Sequence, residues 1–180
     1  QYFTLTYNSD GRITQLTEYS GGGPIRQVDY TYDGEHLQTV VVPGPRTTTY
    51  AYQAPTGAPT DHALTSITYP DGRHRYYQYD ARGRLIEQSR DGGAEPVQFD
   101  YTGPGQVDVV DAGTNATSLF LGFAGQPLEV ENPLGSTASF AYGYDLSLGT
   151  VTGPDGGRAQ IAYDAKGEPV LLDDQQIEAE

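Results

Sequence analysis

The chain lacks cysteine, has few cations and contains no long apolar run, and each absence excludes a class of protein. Without cysteine, its 180 residues have no disulfide framework, no cysteine-type zinc site and no thiol nucleophile. Ten basic residues stand against 24 acidic ones, and the formal net charge is −14. Such a chain is not expected to bind nucleic acid. Because no run of about 18 apolar residues occurs, we also predict no transmembrane helix and no membrane partner.

A short sequence pattern recurs about every 20 residues along the whole chain, which is typical of an array of one supersecondary unit. The clearest copy is YYQYDARGRL, at residues 76–85. The aromatic residue before each turn marks the copies and predicts about eight units. These markers are Tyr7, Tyr32, Tyr52, Tyr79, Tyr101, Phe123, Tyr144 and Tyr163.

Each copy has the pattern of a β-hairpin. The incoming side alternates, as in Val97, Phe99 and Tyr101, which indicates a half-buried strand. In the copy at residues 76–85, Asp80 opens a turn in which its carboxylate can accept a backbone hydrogen bond. Gly83 then stands where the turn needs a left-handed backbone. The sequence therefore predicts an all-β fold of tandem antiparallel hairpins.

This hairpin array is predicted to cover residues 1–180, with residues 173–180 as an acidic tail or the start of a further unit. No segment shows a sustained helical period. Both ends of the chain fall within the repeat pattern, so we expect it to be a fragment of a longer array.

The residues expected to carry the repeat are a tyrosine before the turn, an acid that opens it, a glycine within it, and Arg or Leu after it. They are Tyr7, Gly11, Arg12, Tyr32, Asp33, Gly34, Tyr79, Asp80, Gly83, Arg84, Leu85, Tyr101, Tyr144, Asp145, Tyr163, Asp164 and Gly167. Equivalent tyrosines are expected to stack in a ladder across neighbouring strands, worth roughly 0.5–1 kcal/mol per pair. The arginine is expected to lie on a tyrosine ring or to reach an Asp of the next unit.

Residue types that support catalysis or metal binding are explained by the strands and turns. His36, His62 and His74 have no partner at a metal-ligand spacing and are expected in ordinary strand or loop positions. Most aspartates occupy turn positions, which disfavours a glycosidase with paired carboxylates. No segment has the acids of a calcium loop. We therefore predict a protein that is not an enzyme, with no catalytic, cofactor or metal site.

The motif Tyr-Asp-x-x-Gly-Arg-Leu, complete at residues 79–85, resembles the YD repeat of the Rhs family, and residues 67–73 resemble its other half. The resemblance extends over essentially the whole chain. The family includes bacterial Rhs polymorphic toxins, the C components of Tc insecticidal toxins and animal teneurins. The resemblance implies a curled strip of hairpins that is part of a hollow β-shell. In the bacterial toxins this shell encloses a toxic C-terminal domain, and it is not catalytic.

The resemblance leads to one main functional hypothesis and one alternative. The first is a wall segment of a secreted bacterial toxin, whose partners are the toxin cargo domain of the same longer chain or neighbouring YD repeats. The Asp-Pro-x-Gly-Leu cleavage motif of such shells does not occur here. Open sheet edges predict self-association. The alternative is an extracellular adhesion or carbohydrate-binding module that uses the loop at residues 53–64. Either function predicts a secreted or cell-surface location.

Overall fold

The computed structural model describes residues 1–175 and confirms the all-β prediction of tandem antiparallel hairpins. Sixteen strands follow one another in chain order. The chain divides into two compact units, Gln1–Pro96 and Val97–Glu180. Of the predicted acidic tail at residues 173–180, residues 173–175 belong to the last strand and residues 176–180 lie outside the described part.

The first unit contains eight strands, each paired antiparallel with the next one in sequence. They are β1 (Tyr2–Tyr7), β2 (Ile13–Ser20), β3 (Gly23–Asp33), β4 (His36–Val42), β5 (Arg46–Tyr52), β6 (Leu64–Thr68), β7 (His74–Tyr79) and β8 (Leu85–Arg90). A short 3-10 turn, Asp91–Gly93, follows β8. The one long connection is the loop at residues 53–63, between β5 and β6.

The second unit repeats this arrangement with eight further strands, again paired in sequence order. They are β9 (Val97–Gly103), β10 (Gln106–Val110), β11 (Ala116–Leu121), β12 (Pro127–Glu131), β13 (Thr137–Tyr142), β14 (Leu148–Thr152), β15 (Arg158–Tyr163) and β16 (Pro169–Gln175).

A β-bulge precedes the strand-end tyrosine in each hairpin of the first unit. The strand register shifts immediately before Tyr7, Tyr32, Tyr52 and Tyr79. A bulge sets two residues against one and increases the local twist of the strand. A further shift precedes Tyr19 in β2, and in the last hairpin of the second unit the shift precedes Ile161 rather than the strand-end Tyr163.

The sheet in each unit is a single layer without a closed hydrophobic core. Among the described residues no apolar side chain is fully buried, and the buried residues there are Thr17 and Ser89. An isolated hairpin is marginal in water, so each one depends on pairing with its neighbours. Within residues 1–175, no helix is long and apolar enough to cross a membrane.

Candidate functional site

The turn that closes the best repeat is held by the side chain that opens it. Asp80 Oδ1 accepts hydrogen bonds from the backbone N–H groups of Arg82 and Arg84, each at 2.9 Å. The N–H of Gly83 donates to the carbonyl oxygen of Asp80 at 3.0 Å, and Gly83 has a φ of 80°. The backbone N–H of Arg84 is the largest cause that lowers the pKa of the Asp80 carboxyl. The turn is therefore a self-contained unit that strengthens when Asp80 is ionised.

The same turn recurs in both units, with an Asp or an Asn as its first residue. In each copy one side-chain oxygen accepts from the backbone N–H groups two and four residues later. The other first residues are Asn8, Asp111, Asn132 and Asp164. Asn is equivalent to Asp here because an amide oxygen accepts the same bonds. The structure places Gly11 and Gly167 at the glycine position of this turn, with φ values of 78° and 80°.

Two predicted copies of the motif have shorter turns. Asp33 pairs directly with His36, so that Gly34, with a φ of 56°, and Glu35 alone connect β3 to β4. Tyr101 lies in β9, which is followed by a Pro-Gly turn in which Gly105 has a φ of 74°.

In three repeats the hydroxyl of the strand-end tyrosine bonds the preceding hairpin, an arrangement that we call the tyrosine bridge. The hydroxyl of Tyr79 donates to the carbonyl oxygen of Leu64 at 2.8 Å. Leu64 is the residue that pairs with Tyr52 at the bulge of the preceding hairpin. Equivalent bridges run from Tyr32 to Ile13 at 2.9 Å and from Tyr163 to Leu148 at 3.1 Å. Burial raises the pKa of Tyr79, so its hydroxyl is a protonated donor at neutral pH.

The bridge corrects the expected stacking of repeat tyrosines. Tyr52 and Tyr79 lie on β5 and β7, so β6 separates them. Strands two apart are about 9.5 Å from each other, which is too far for ring stacking. The hydroxyl, rather than the ring face, therefore makes the contact that repeats. Stacked tyrosines occur elsewhere, at Tyr2 and Tyr19, whose ring centroids are 5.0 Å apart.

The arginines after the turns bond an acid of their own turn. Arg84 Nε donates to Asp80 Oδ2 at 2.8 Å, and Arg12 bonds Asp10 at 3.0 Å. A side chain two or four residues away is reached without crossing a strand. Arg12 also confirms the predicted ring contact, because its guanidinium lies 5.9 Å from the ring centroid of Tyr32.

The structure differs from the motif assignment at Tyr144 and Asp145. The register shifts before Tyr142, which ends β13, and Tyr144 is a fully exposed residue of the following turn. Gly143 takes the turn-opening position, and Asp145 instead caps the backbone N–H of Ser147 at 3.1 Å. The pair Tyr144–Asp145 therefore has the motif's sequence, but it lies two residues after Tyr142, which occupies the structural position of the repeat tyrosine. Phe123 is displaced in the same way, because the corresponding shift precedes Leu121.

Two histidine contacts connect segments that are distant in sequence. His62 Nδ1 lies 3.0 Å from His36 Nε2, with the two rings stacked. His74 Nδ1 lies 2.7 Å from Asp91 Oδ1, while the backbone N–H of His74 donates to Asp91 Oδ2 at 2.9 Å. These partners are 26 and 17 residues apart, and no sequence spacing indicates them.

The titratable side chains described above lie in the turns and strands of the array. Among residues 1–175, no group of three or more His, Asp or Glu residues is placed to hold a metal ion. Hydrogen bonds lower the carboxyl pKa values: bonds within the turn for residues such as Asp80 and Asp111, and bonds from residues on other strands for Asp91 and Asp108. What recurs is the turn and the tyrosine bridge, and these are structural features.

Comparison with known proteins confirms the family resemblance. Residues 60–95 match the family model described as RHS Repeat. The chain has a TM-score of 0.50 and 12% identity to the crystal structure of TcdB2-TccC3-TEV. A TcdB2-TccC3-Cdc42 structure gives 0.47 at 14% identity, and a porin-like protein from Bacteroides uniformis gives 0.48 at 10%. No curated protein sequence matches the chain.

These structural matches differ in how much of each protein they cover. The alignments include 94% of this chain in all three cases. They cover 86% of the porin-like protein but only 12% of each TcdB2-TccC3 chain. The chain thus spans about one eighth of the length of the TcdB2-TccC3 chains, and the likeness concerns the fold.

Proposed function

We propose that this chain, which carries an RHS repeat at residues 60–95, is a non-enzymatic wall segment of an Rhs-type β-shell. The shell would belong to a secreted bacterial toxin and enclose the toxin domain of the same longer polypeptide. The observation that carries the proposal is the tyrosine bridge. Tyr32, Tyr79 and Tyr163 each bond a carbonyl of the preceding hairpin, so the same contact joins successive hairpins at three places along the chain. Such a unit extends into a wall by repetition alone.

The absence of a closed core supports a wall rather than a self-sufficient globule. No apolar side chain among the described residues is fully buried, and many remain half-buried in their strands. A single-layer sheet exposes two faces, and an apolar face of this kind requires cover from another part of a larger assembly. In a shell the enclosed domain or adjoining wall would supply that cover.

The first experiment is limited proteolysis, with mass spectrometry, of the longer polypeptide that contains these repeats. We expect a downstream domain to resist digestion while the repeats are intact and to be digested once they are cut. Substituting Tyr32, Tyr79 and Tyr163 together by Phe removes three bridges and should accelerate that digestion. The matched control is Tyr144→Phe, which removes an exposed hydroxyl outside the bridges. Immediate digestion of the downstream domain with the repeats intact would contradict the container function.

We propose that, in the isolated 180-residue chain, the edge strand β1 pairs with a second copy of this chain. All six residues of β1 are exposed, including Phe3 and Leu5, and β2 is its partner within the first unit. An uncovered edge of this kind pairs with another strand unless a charge blocks it. Sedimentation velocity should show concentration-dependent association that Leu5→Lys reduces. The control Leu134→Lys alters an exposed turn residue and should leave association unchanged; equal effects would reject the edge.

A specific pocket favours the alternative of carbohydrate binding. It has a volume of about 410 Å³ and includes Tyr50, Tyr52 and Gln38 in its lining. Asp61 holds the adjoining loop at residues 53–63, because its carboxylate accepts the backbone N–H of Thr56 at 2.9 Å. Aromatic rings beside amide groups are a combination that suits a sugar ring.

A glycan array followed by titration tests this second function. Binding that Tyr50→Ala abolishes and Tyr144→Ala leaves intact would support the pocket. The absence of any ligand at millimolar sugar would reject it and leave the wall function untouched.

A further inference from the structure

Three of the few cations in this acidic chain surround one pocket in the first unit. The pocket has a volume of about 310 Å³, and its lining includes Arg73, Arg75, Arg90 and Tyr69. Strands β7 and β8 place Arg75 directly opposite Arg90. Like charges in directly opposed positions destabilise a sheet. The chain has 24 acidic residues, yet none of them stands opposite Arg75 or Arg90 in this strand pair. The repulsion between the two arginines therefore suggests that a ligand balances their charge.

The pocket arginines differ in how their charges are compensated. Arg73 Nε donates to Asp71 Oδ2 at 2.6 Å, and Arg90 bonds Glu95 Oε1 at 3.0 Å. Arg75 instead donates to the neutral side chain of Gln88 at 3.3 Å. Among the described residues, no carboxylate lies within ion-pair distance of Arg75. The side chains that Arg75 bonds, those of Gln88 and Tyr77, are therefore neutral, and within the described part of the chain no carboxylate balances its charge.

The acids around the pocket are already engaged. Asp71 is the one acid in the lining, and its hydrogen bond from the Arg73 side chain is the largest cause that lowers its carboxyl pKa. Asp91 is occupied by the backbone N–H and the imidazole of His74. The Arg90–Glu95 pair is about half exposed on both sides, and exposed pairs of this kind exchange partners at little cost.

We propose that this pocket binds a tetrahedral dianion, such as a sulfate or phosphate group. Three guanidinium groups and one carboxylate line it, so a ligand with two negative charges balances the excess once Arg90 exchanges Glu95 for that ligand. A bound oxyanion between Arg75 and Arg90 turns their repulsion into two charge-assisted contacts, for which the planar guanidinium fork is suited. The site lies within the RHS repeat and is independent of the wall function.

The test uses the full 180-residue chain and the Nε–Hε NMR resonances of its arginines. Sodium sulfate is titrated at constant ionic strength, with sodium chloride as the balancing salt. We expect saturable shifts at Arg73, Arg75 and Arg90, and at least a tenfold weaker affinity in Arg75→Gln. Arg75→Lys keeps the charge but loses the fork, so it should retain part of the affinity. The matched control is Arg26→Gln, an exposed arginine 4.0 Å from Glu18, which should bind as the parent does.

The titration separates a built site from general ion screening. Shifts that rise linearly without saturation, that chloride reproduces, or that Arg26→Gln alters as much as Arg75→Gln would overturn the proposal. The far-UV circular dichroism spectrum of each variant establishes that its sheet is retained. If Arg75→Gln unfolds, Arg90→Gln replaces it, with the same expectation.

Further titrations identify the ligand group and its source. Inorganic phosphate and galactose 6-sulfate should compete with sulfate, while acetate should bind at least tenfold more weakly because it carries one charge. A preference for galactose 6-sulfate over the inorganic ions would place the group on a sugar that also contacts Tyr69. Tighter binding of acetate than of sulfate would refute the assignment of a dianion.

Discussion

The substitution Gly83→Ala tests whether the loop at residues 53–63 packs against the repeat turn. Gly83 has a φ of 80°, and a Cβ added there would lie 2.5 Å from the carbonyl oxygen of Pro59. Gly11 occupies the same turn position with a φ of 78°, and a Cβ there meets nothing within 4 Å. The pair therefore separates the cost of a left-handed backbone from the cost of the contact.

The left-handed conformation costs an L-residue about 1–2 kcal/mol, and the smaller entropy of the unfolded chain offsets about 0.4–1 kcal/mol of this in both variants. Gly83→Ala must in addition displace a backbone oxygen, which as overpacking costs about 1–3 kcal/mol more. We therefore expect Gly83→Ala to lower the free energy of unfolding of the first unit by about 1–3 kcal/mol more than Gly11→Ala does.

Urea denaturation, monitored by circular dichroism, measures the free energy of unfolding of each variant. Amide hydrogen exchange measures how readily the loop at residues 53–63 opens. The amide of Gln53 bonds the carbonyl of Ala63 at 2.8 Å and closes the loop. Its exchange should accelerate in Gly83→Ala and stay unchanged in Gly11→Ala. Equal destabilisation by the two variants, with equal exchange at Gln53, would refute the packing of this loop on the turn.

Three further predictions concern the bridge, a strained turn and acid pH. Tyr79→Phe removes the bond to Leu64 and should lower the free energy of unfolding by about 1 kcal/mol, while Tyr144→Phe should change it by less than about 0.5 kcal/mol; equal effects in urea denaturation would argue against the bridge. Leu146 holds the glycine position of its turn with a φ of 63°, so Leu146→Gly should raise the thermal midpoint of the second unit, and a lowered midpoint would contradict the strain. The pKa of Asp80 is depressed below its usual 3.8, so its contribution to stability is complete above that value and is lost as the pH falls through the folded-state pKa. Asp80→Asn should therefore reduce the loss of stability between about pH 5 and pH 2 in acid titrations, and an unchanged slope would show that this turn does not contribute.

The strands and the four-residue turns could be predicted because their causes are local. Alternation along β9 and the Asp-x-x-Gly spacing at residues 80–83 each depend on neighbours within a few residues. The Asn8 and Asp164 turns follow the same rule. A side chain that caps its own turn needs no distant partner, so the sequence motif alone predicts the turn.

The candidate sites could not be predicted because they depend on which residues the sheet brings side by side. The opposition of Arg75 and Arg90 requires the register of β7 and β8, and a slip of one residue would have placed them on opposite faces. The contact between His36 and His62 likewise depends on how the loop at residues 53–63 returns.

The sequence by itself determined the unit, a hairpin with a capped turn, and the number of times it recurs, because hydrogen bonds between residues two to four apart specify it. Only the tertiary structure decided how one hairpin repeat bonds the next. The bulges set the register, and the register brings the hydroxyl of Tyr79 to Leu64 and leaves Tyr144 in a turn. The physical reason is that cross-strand pairing carries contacts over 15 residues or more, a distance over which the motif contains no information about its partner.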